Sequence, residues 1–246
     1  MNPKRLVVFV EGEGDSESSI ILLNKVLTDQ EAWDCAFADS NVFTMKGGVE
    51  KCLGKGADKF RNWIRAAALR PNLGGILVLI DGDKPDPADG CECPFEIASR
   101  IGAEAAKAGA GSSFSLAVVL ARQEFESWFV AAAGHLAGKD LPDGRPGLAK
   151  DASSPPDPET EPRDAKGWLG RQMRFGYKPT RDQAQFAKMI DDLQILRDKG
   201  LRSFTRFESV HLAARFRNSK RKPFGVADEL ITLIGDCWSL SLLARL

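Results

Sequence analysis

Three continuous apolar runs, rich in β-branched residues, predict buried strands at Arg5–Val10, Gly75–Ile80 and Phe114–Leu120. Unbroken apolar runs are typical of parallel strands that are covered on both faces. Between and after these runs, apolar residues recur at helical spacing. The predicted helices are Ser16–Leu27, with Asp15 or Ser16 as N-cap, Asp58–Leu69, Phe95–Lys107 and Gln123–Leu136. This alternation predicts an α/β fold with a mainly parallel sheet flanked by helices.

The pattern changes in the second half of the chain. Residues 138–162 are rich in Pro, Asp, Ser and Gly, which predicts a loop or linker. Strand signals are then scarce, and a capping box from Thr180 to Gln183 introduces a helical pattern that continues to Leu196. Two more helices are predicted at Ser203–Phe216 and Val226–Leu243. The expected organisation is an α/β domain at 1–137, a linker at 138–162, and a C-terminal α-helical region at 163–246 packed on the first domain.

Composition excludes several classes of protein. The 246 residues are 43% hydrophobic and 28% charged, which is typical of a folded globular chain and excludes disorder throughout. No apolar run approaches about 18 residues, so we expect no membrane span. The 34 basic residues balance the 34 acidic ones, so a nucleic-acid partner would have to bind a local basic patch. Five scattered cysteines favour a reducing, cytoplasmic location.

Acidic residues follow all three predicted strands. They are Glu11, Glu13 and Asp15 after the first, Asp81 and Asp83 after the second, and Glu124 and Glu126 after the third. Parallel strands end at one edge of a sheet, where ligands commonly bind. Carboxylates gathered there repel one another unless a cation lies among them, and oxygen ligands suit Mg²⁺ or Mn²⁺. The alternatives are solvated turns or helix caps, and Glu124 and Glu126 fit equally well as acids favoured at a helix N-terminus.

Basic residues cluster in two places. The first group is Arg163, Lys166, Arg171 and Arg174, near Tyr177, Lys178 and Arg181, and the second is Arg202, Arg206, Arg215, Arg217, Lys220, Arg221 and Lys222. Such groups bind phosphate backbones, although a solvated helix face has the same composition. Lys84, beside Asp83, is a further candidate for stabilising charge on a phosphate.

The EGEGD loop and the later DGD resemble the motifs of the TOPRIM fold of topoisomerases, primases and OLD-type nucleases. More closely, most of the chain resembles the DUF4276 family, which is related to RloB-like proteins. The pieces that carry this resemblance are VEGEGDSE, LVLIDGD, RQEFESWF, GWLGRQM, YKPTRDQAQFAKMID and SFTRFESVHLA.

The resemblance implies that Glu11, Asp81 and Asp83 are catalytic, with Glu11 as acid/base or ligand. Some TOPRIM proteins have a third acid where this chain has Pro85, so Asp15, Glu124 or Glu126 would replace it, and the number of ions stays open. The implied metal ligands are Glu11, Asp15, Asp81, Asp83, Glu124 and Glu126. The implied substrate contacts are Lys166, Tyr177 and Lys178, in addition to Lys84, which is a candidate from its position beside Asp83.

The leading functional hypothesis is an Mg²⁺- or Mn²⁺-dependent nuclease that hydrolyses DNA or RNA phosphodiesters. The resemblance implies a role in prokaryotic antiviral defence beside an ABC- or SMC-like ATPase, with monomer and homodimer both open. Two alternatives remain. LVLIDGD also resembles the strand-end motif of haloacid-dehalogenase-type phosphatases, in which the first Asp is a nucleophile. A non-catalytic module that binds a metal and docks a partner would carry the same acidic cluster.

Overall fold

The computed structural model describes residues 2–84, 90, 91 and 93–210. The helix predicted at Val226–Leu243 lies outside these residues, as do Pro85 and the basic residues of the second cluster beyond 210. Within the described residues, no helix combines the length and the hydrophobicity that crossing a bilayer requires.

A five-stranded, wholly parallel sheet forms the centre of the protein. The strands are β1 Lys4–Val10, β2 Ala36–Ala38, β3 Phe43–Thr44, β4 Leu73–Asp81 and β5 Ser115–Ala121. Their order is β2-β1-β4-β5, and β3 pairs with the end of β1 beside β2. In register, Val10 of β1 lies opposite Leu79 of β4, and Asp81 of β4 lies opposite Ala121 of β5. The three predicted strands are therefore confirmed, whereas the short β2 and β3 were not predicted.

Helices cover both faces of the sheet, as the unbroken apolar strands predicted. Alternate residues of β4 enter two separate cores: Leu77 and Leu79 face one, and Ile76, Val78 and Ile80 face the other. The helices are α1 Glu13–Asp29, α2 Val49–Cys52, α3 Ala57–Ala68, α4 Pro94–Ala106, α5 Ser127–Ala131, α6 Ala133–Leu136, α7 Ala165–Gln172, α8 Pro179–Met189, α9 Gln194–Arg197 and α10 Arg202–Glu208. The α/β fold class is thus confirmed.

Three helix starts differ from the sequence-based expectation. The helix predicted from Gln123 is the two short helices α5 and α6, because the chain first makes turns through Gln123, which has a φ of 65°. Helix α1 begins after Gly12, and Asp15, predicted as N-cap, lies inside the helix and accepts the Gly12 N–H at 2.7 Å. Helix α8 begins at Pro179, so the predicted capping box at Thr180 is wrong.

The C-terminal helices share a core with the sheet. Residues of the predicted linker, Leu141 and Leu148, are buried in the same cluster as β1, α1 and α8. Buried Glu159 accepts the N–H groups of Arg202 and Ser203 at the start of α10, at 3.0 and 2.8 Å. Ser203 Oγ in turn accepts the indole N–H of buried Trp128 at 2.8 Å. The segment 138–162 therefore fixes α10 against α5.

Helices α1 and α8 approach each other closely at Gly14. A Cβ added to Gly14 would lie 2.7 Å from the Pro179 carbonyl carbon and 2.8 Å from Gln183 Oε1. Because the nearest atom belongs to the backbone, α8 would have to move to accept any side chain at this position. The second glycine of EGEGD therefore sets the distance between the two helices.

We expect Gly14→Ala to lower the free energy of unfolding by about 1–3 kcal/mol, because overpacking forces backbone shifts. The matched control is Gly102→Ala in α4, where an added Cβ meets nothing within 4 Å. That change should leave stability unchanged or raise it by about 0.5–1 kcal/mol. Urea unfolding of both variants measures the difference, and equal stabilities would contradict the close approach of α1 and α8.

Candidate active site

The carboxyl ends of β1, β4 and β5 bring acidic side chains together at one edge of the sheet. Glu11, directly after β1, accepts the backbone N–H of Asp81, the last residue of β4, at 3.3 Å through Oε2. Asp81 Oδ1 accepts the backbone N–H of Phe125, after β5, at 2.8 Å. Two hydrogen bonds from backbone N–H groups to carboxylates thus connect the ends of β1, β4 and β5.

Glu11 is held from two sides. Its Oε1 accepts a hydrogen bond from Lys84 Nζ at 3.0 Å. Across from it lies Gly48, where an added Cβ would stand 2.5 Å from Glu11 Oε2. The carboxylate therefore packs directly against backbone, and a side chain at position 48 would displace it.

The Lys166 ammonium lies among three carboxylates. Its Nζ is 3.1 Å from Asp81 Oδ2, 2.9 Å from Glu124 Oε1 and 3.2 Å from Glu126 Oε2. The backbone N–H of Lys166 also donates to Glu124 Oε2 at 3.0 Å. Because Lys166 is near the start of α7, this helix delivers the positive charge to the sheet edge.

Helix α8 and the residue pair before it contribute three more polar contacts. Buried Gln183 donates through Nε2 to Asp15 Oδ1 and to Glu126 Oε1, both at 2.8 Å. The Tyr177 hydroxyl donates to the same Glu126 Oε1 at 3.1 Å. Gln183 therefore links the carboxylate of α1 to the one that follows β5.

Burial and crowding shift the proton affinities of this cluster. Burial raises the pKa of Asp81 well above its usual range; the Lys166 ammonium opposes this rise, and Glu126, Asp15 and Glu11 add to it. Burial likewise raises the pKa of Glu126 and of Asp15. Burial disfavours the charge on Lys166, but the surrounding carboxylates outweigh it and raise the pKa of the ammonium. Lys166 therefore stays charged.

The cluster contains more negative than positive groups. Five carboxyl groups, on Glu11, Asp15, Asp81, Glu124 and Glu126, face only two ammonium groups, those of Lys84 and Lys166. Such an excess is relieved by bound protons or by a cation.

The donor chemistry fits a divalent ion such as Mg²⁺ or Mn²⁺. All five acids offer hard oxygen donors, and Glu126 Oε2 is a buried oxygen without a hydrogen bond. Across the described residues, however, no three Asp, Glu, His or Cys side chains are arranged to hold a metal as they stand. Lys166 occupies the space between them, so an ion would have to displace its ammonium.

Most predicted site residues lie in this cluster. The structure brings together Glu11, Asp15, Asp81, Glu124, Glu126, Lys84, Lys166 and Tyr177. Asp83 does not join them: it is exposed, and its carboxylate has no hydrogen bond or ion pair with any described residue. Lys178 is also exposed, and its hydrogen bonds with described residues are made by its backbone, whose N–H donates to Asp182 at 2.8 Å. The roles predicted for Asp83 and Lys178 stay predictions.

Sequence reasoning missed Gln183 and Gly48. The interpretation of Gln183 as part of a capping box hid its contacts with Asp15 and Glu126. Gly48 lies in a glycine-rich stretch, and no sequence signal shows that it faces Glu11.

The whole cluster falls within a known family model. The model of DUF4276, a domain of unknown function, matches residues 10–210 of the chain. The match begins at the last residue of β1 and ends after α10, so it includes every residue of the cluster. No curated protein and no solved structure matches the chain.

We expect Lys166→Met to destabilise the protein by about 1–3 kcal/mol near neutral pH, because it leaves three carboxylates without their ammonium. This is less than the full cost of breaking a buried pair, since 36% of the Lys166 side chain is exposed. The matched control is Lys188→Met, which breaks only a surface pair with Glu17 and should cost less than about 0.5 kcal/mol.

The stability that Lys166→Met loses should also depend on pH. Asp81 and Glu126 have a raised pKa when folded, so the folded state binds more protons than the unfolded state above about pH 4. Stability therefore falls as pH rises, and it falls more steeply once Lys166 is absent. Denaturant unfolding of the parent and of Lys166→Met at about pH 5 and about pH 8 measures this dependence. If the difference in free energy of unfolding between the two proteins does not grow with pH, the prediction is contradicted.

Proposed function

The chain belongs to the DUF4276 family, and from that premise and its carboxylate cluster we propose that it is a divalent-metal-dependent nuclease that hydrolyses nucleic-acid phosphodiesters. The proposal includes a relationship to the TOPRIM nucleases, which rests on the EGEGD and DGD motifs. The preferred ion is Mg²⁺ or Mn²⁺.

One observation carries the proposal: five carboxylates gather at the carboxyl edge of the sheet with only two lysines among them, and burial raises the pKa of three of the acids. Holding like charges together destabilises a fold, so such a cluster is typical of a functional site rather than of a structural one. Glu126 Oε2, buried and without a hydrogen bond, has the Lys166 ammonium at 3.2 Å as its counter-charge, and a bound cation would take over this role.

The contacts of the residues in the cluster suggest which of them would bind the metal and which would bind the phosphate. A bound divalent ion supplies Lewis-acid polarisation of the phosphate and activation of water. Glu11 and Asp81, joined through the Asp81 N–H, would be the principal ligands, and Asp15, Glu124 and Glu126 would be further candidates. Lys166 is the group that would turn from Asp81 toward a phosphate oxygen, because it is a permanent charge with part of its surface exposed. Lys84 would neutralise a second oxygen beside Glu11.

The wider setting of the proposal is an endonuclease effector of prokaryotic antiviral defence, regulated by an ABC- or SMC-like ATPase. It rests on the resemblance to RloB-like and OLD-type proteins. Copurification with the product of a neighbouring ATPase gene, and a change in cleavage when that protein and ATP are added, would support it.

A second candidate is a non-catalytic module. Lys166 already satisfies one oxygen on each of three acids, which favours a structural ion-pair network that fixes α7 on the sheet. In that case the acidic edge would serve to bind an ion or a partner without chemistry.

We expect Glu11→Gln and Asp81→Asn to lower cleavage of plasmid, single-stranded DNA or RNA in Mg²⁺ or Mn²⁺ by about 100-fold or more, while the fold is retained. The matched control is Glu17→Gln, an exposed acid of α1 that pairs only with Lys188, and it should cleave like the parent. Gel assays with circular dichroism of each variant test this. Equal cleavage by parent and Asp81→Asn would refute the assignment.

Thermal unfolding separates the two candidates. A ligand at 100 times its Kd stabilises by about 2.7 kcal/mol, which raises the Tm of a chain of this size by about 5–10 °C. We expect Mn²⁺ to produce such a shift in the parent and not in Asp81→Asn. A shift without cleavage of any substrate, alone or with an ATPase partner, would favour the non-catalytic module.

A further inference from the structure

A strongly basic segment runs past the carboxylate cluster. In a chain with no net charge, residues 163–181 carry six basic side chains and one acidic one. The basic residues are Arg163, Lys166, Arg171, Arg174, Lys178 and Arg181. The segment comprises α7, the loop that follows it and the start of α8. Basic charge is thus concentrated beside the site, where a global count does not reveal it.

Phe175 projects from the loop of this segment. Its side chain is 59% exposed, in a protein whose other phenylalanines in the described residues are at least partly buried. The Arg174 guanidinium lies 5.3 Å from the centre of the Phe175 ring. An exposed aromatic face beside an arginine is the pairing that stacks on nucleic-acid bases.

The neighbouring basic side chains are available for phosphate. Arg171 and Lys178 are exposed, and Arg171 is only loosely paired with Asp164, at 3.8 Å. Arg181, by contrast, is engaged with buried Asp182 at 2.7 Å and holds α8 in place. Charge for binding and charge for structure are therefore carried by different residues of the same segment.

The loop is covalently close to the cluster. Phe175 precedes Tyr177 by two residues, and two residues span at most about 7 Å of chain. The Tyr177 hydroxyl contacts Glu126, and Lys166 of the same segment contacts Asp81. A strand of nucleic acid that rests on Phe175 would therefore pass beside the acidic edge.

We propose that residues 171–178 are a platform for single-stranded nucleic acid, on which one base stacks against Phe175 while Arg171, Arg174 and Lys178 bind the adjoining phosphates. The inference rests on the proposed function and names the substrate class of the same site. A single strand is favoured over a duplex because the face of a base is free to stack on a side chain only when the base has left its own stack.

The test is binding in EDTA, so that no cleavage intervenes. Fluorescence anisotropy measures the Kd of labelled 12-nucleotide oligo(dT), oligo(U) and a blunt duplex for the full chain. We expect Phe175→Ala to weaken single-strand binding by about 5- to 100-fold and duplex binding by less than about twofold. Phe175→Trp should bind like the parent, and Phe175→Leu, which keeps an apolar group without a π face, should resemble Phe175→Ala.

The matched control is Trp33→Ala, which removes an aromatic ring that is 45% exposed and lies outside the basic segment. It should leave both affinities unchanged. Arg171→Ala and Lys178→Ala should each weaken binding and reduce its dependence on salt concentration.

The outcomes separate this inference from the proposed hydrolysis. Single-strand binding that needs Phe175, with no cleavage in any metal, supports the platform and counts against the nuclease. Cleavage that needs Asp81, with single-strand binding indifferent to Phe175, overturns the platform and leaves the nuclease standing. Preference for the duplex, or for an acidic protein partner over both nucleic acids, also overturns it.

Discussion

The contact on which the architecture of the site depends is that of the Lys166 ammonium with Asp81, Glu124 and Glu126. Without it, buried negative charge would collect at the carboxyl edge of the sheet with only Lys84 to oppose it. Because Lys166 lies on α7, the helical half of the chain supplies the counter-charge for acids that the α/β half brings together. The stability of the protein and the geometry of the site therefore share the same contacts.

The sheet supplies the acids, and the helices supply what restrains them. Parallel pairing of β1, β4 and β5 brings their last residues to one edge, where backbone N–H groups of Asp81 and Phe125 each bind a carboxylate. Gln183 then hydrogen-bonds both to Asp15 of α1 and to Glu126, which follows β5. These bonds require the close approach of α8 to α1 that Gly14 permits. A glycine that looks like a turn residue is thus part of the geometry of the site.

Much of this could be predicted from the sequence. Continuous apolar runs identified β1, β4 and β5 and the α/β class, because burial on both faces leaves a strong local signal. The match over residues 10–210 confirms the expected family. The strands β2 and β3 were missed because two or three residues are too few to show the alternation of apolar and polar positions that identifies a strand. The contacts of Gln183 and Gly48 could not be predicted, since each depends on a distant segment. Asp83 was expected in the cluster, but the chain leaves the sheet after Asp81 and carries it to the surface.

The buried carboxylate of Glu159 has a consequence for how the protein can be divided. It lies in a stretch whose composition predicts a loop or linker, yet it caps α10 and is connected through Ser203 to the indole of Trp128 in α5. A fragment ending at residue 137 would lose these contacts and also Lys166, the counter-charge of three acids. A fragment that keeps them has to extend at least through α10.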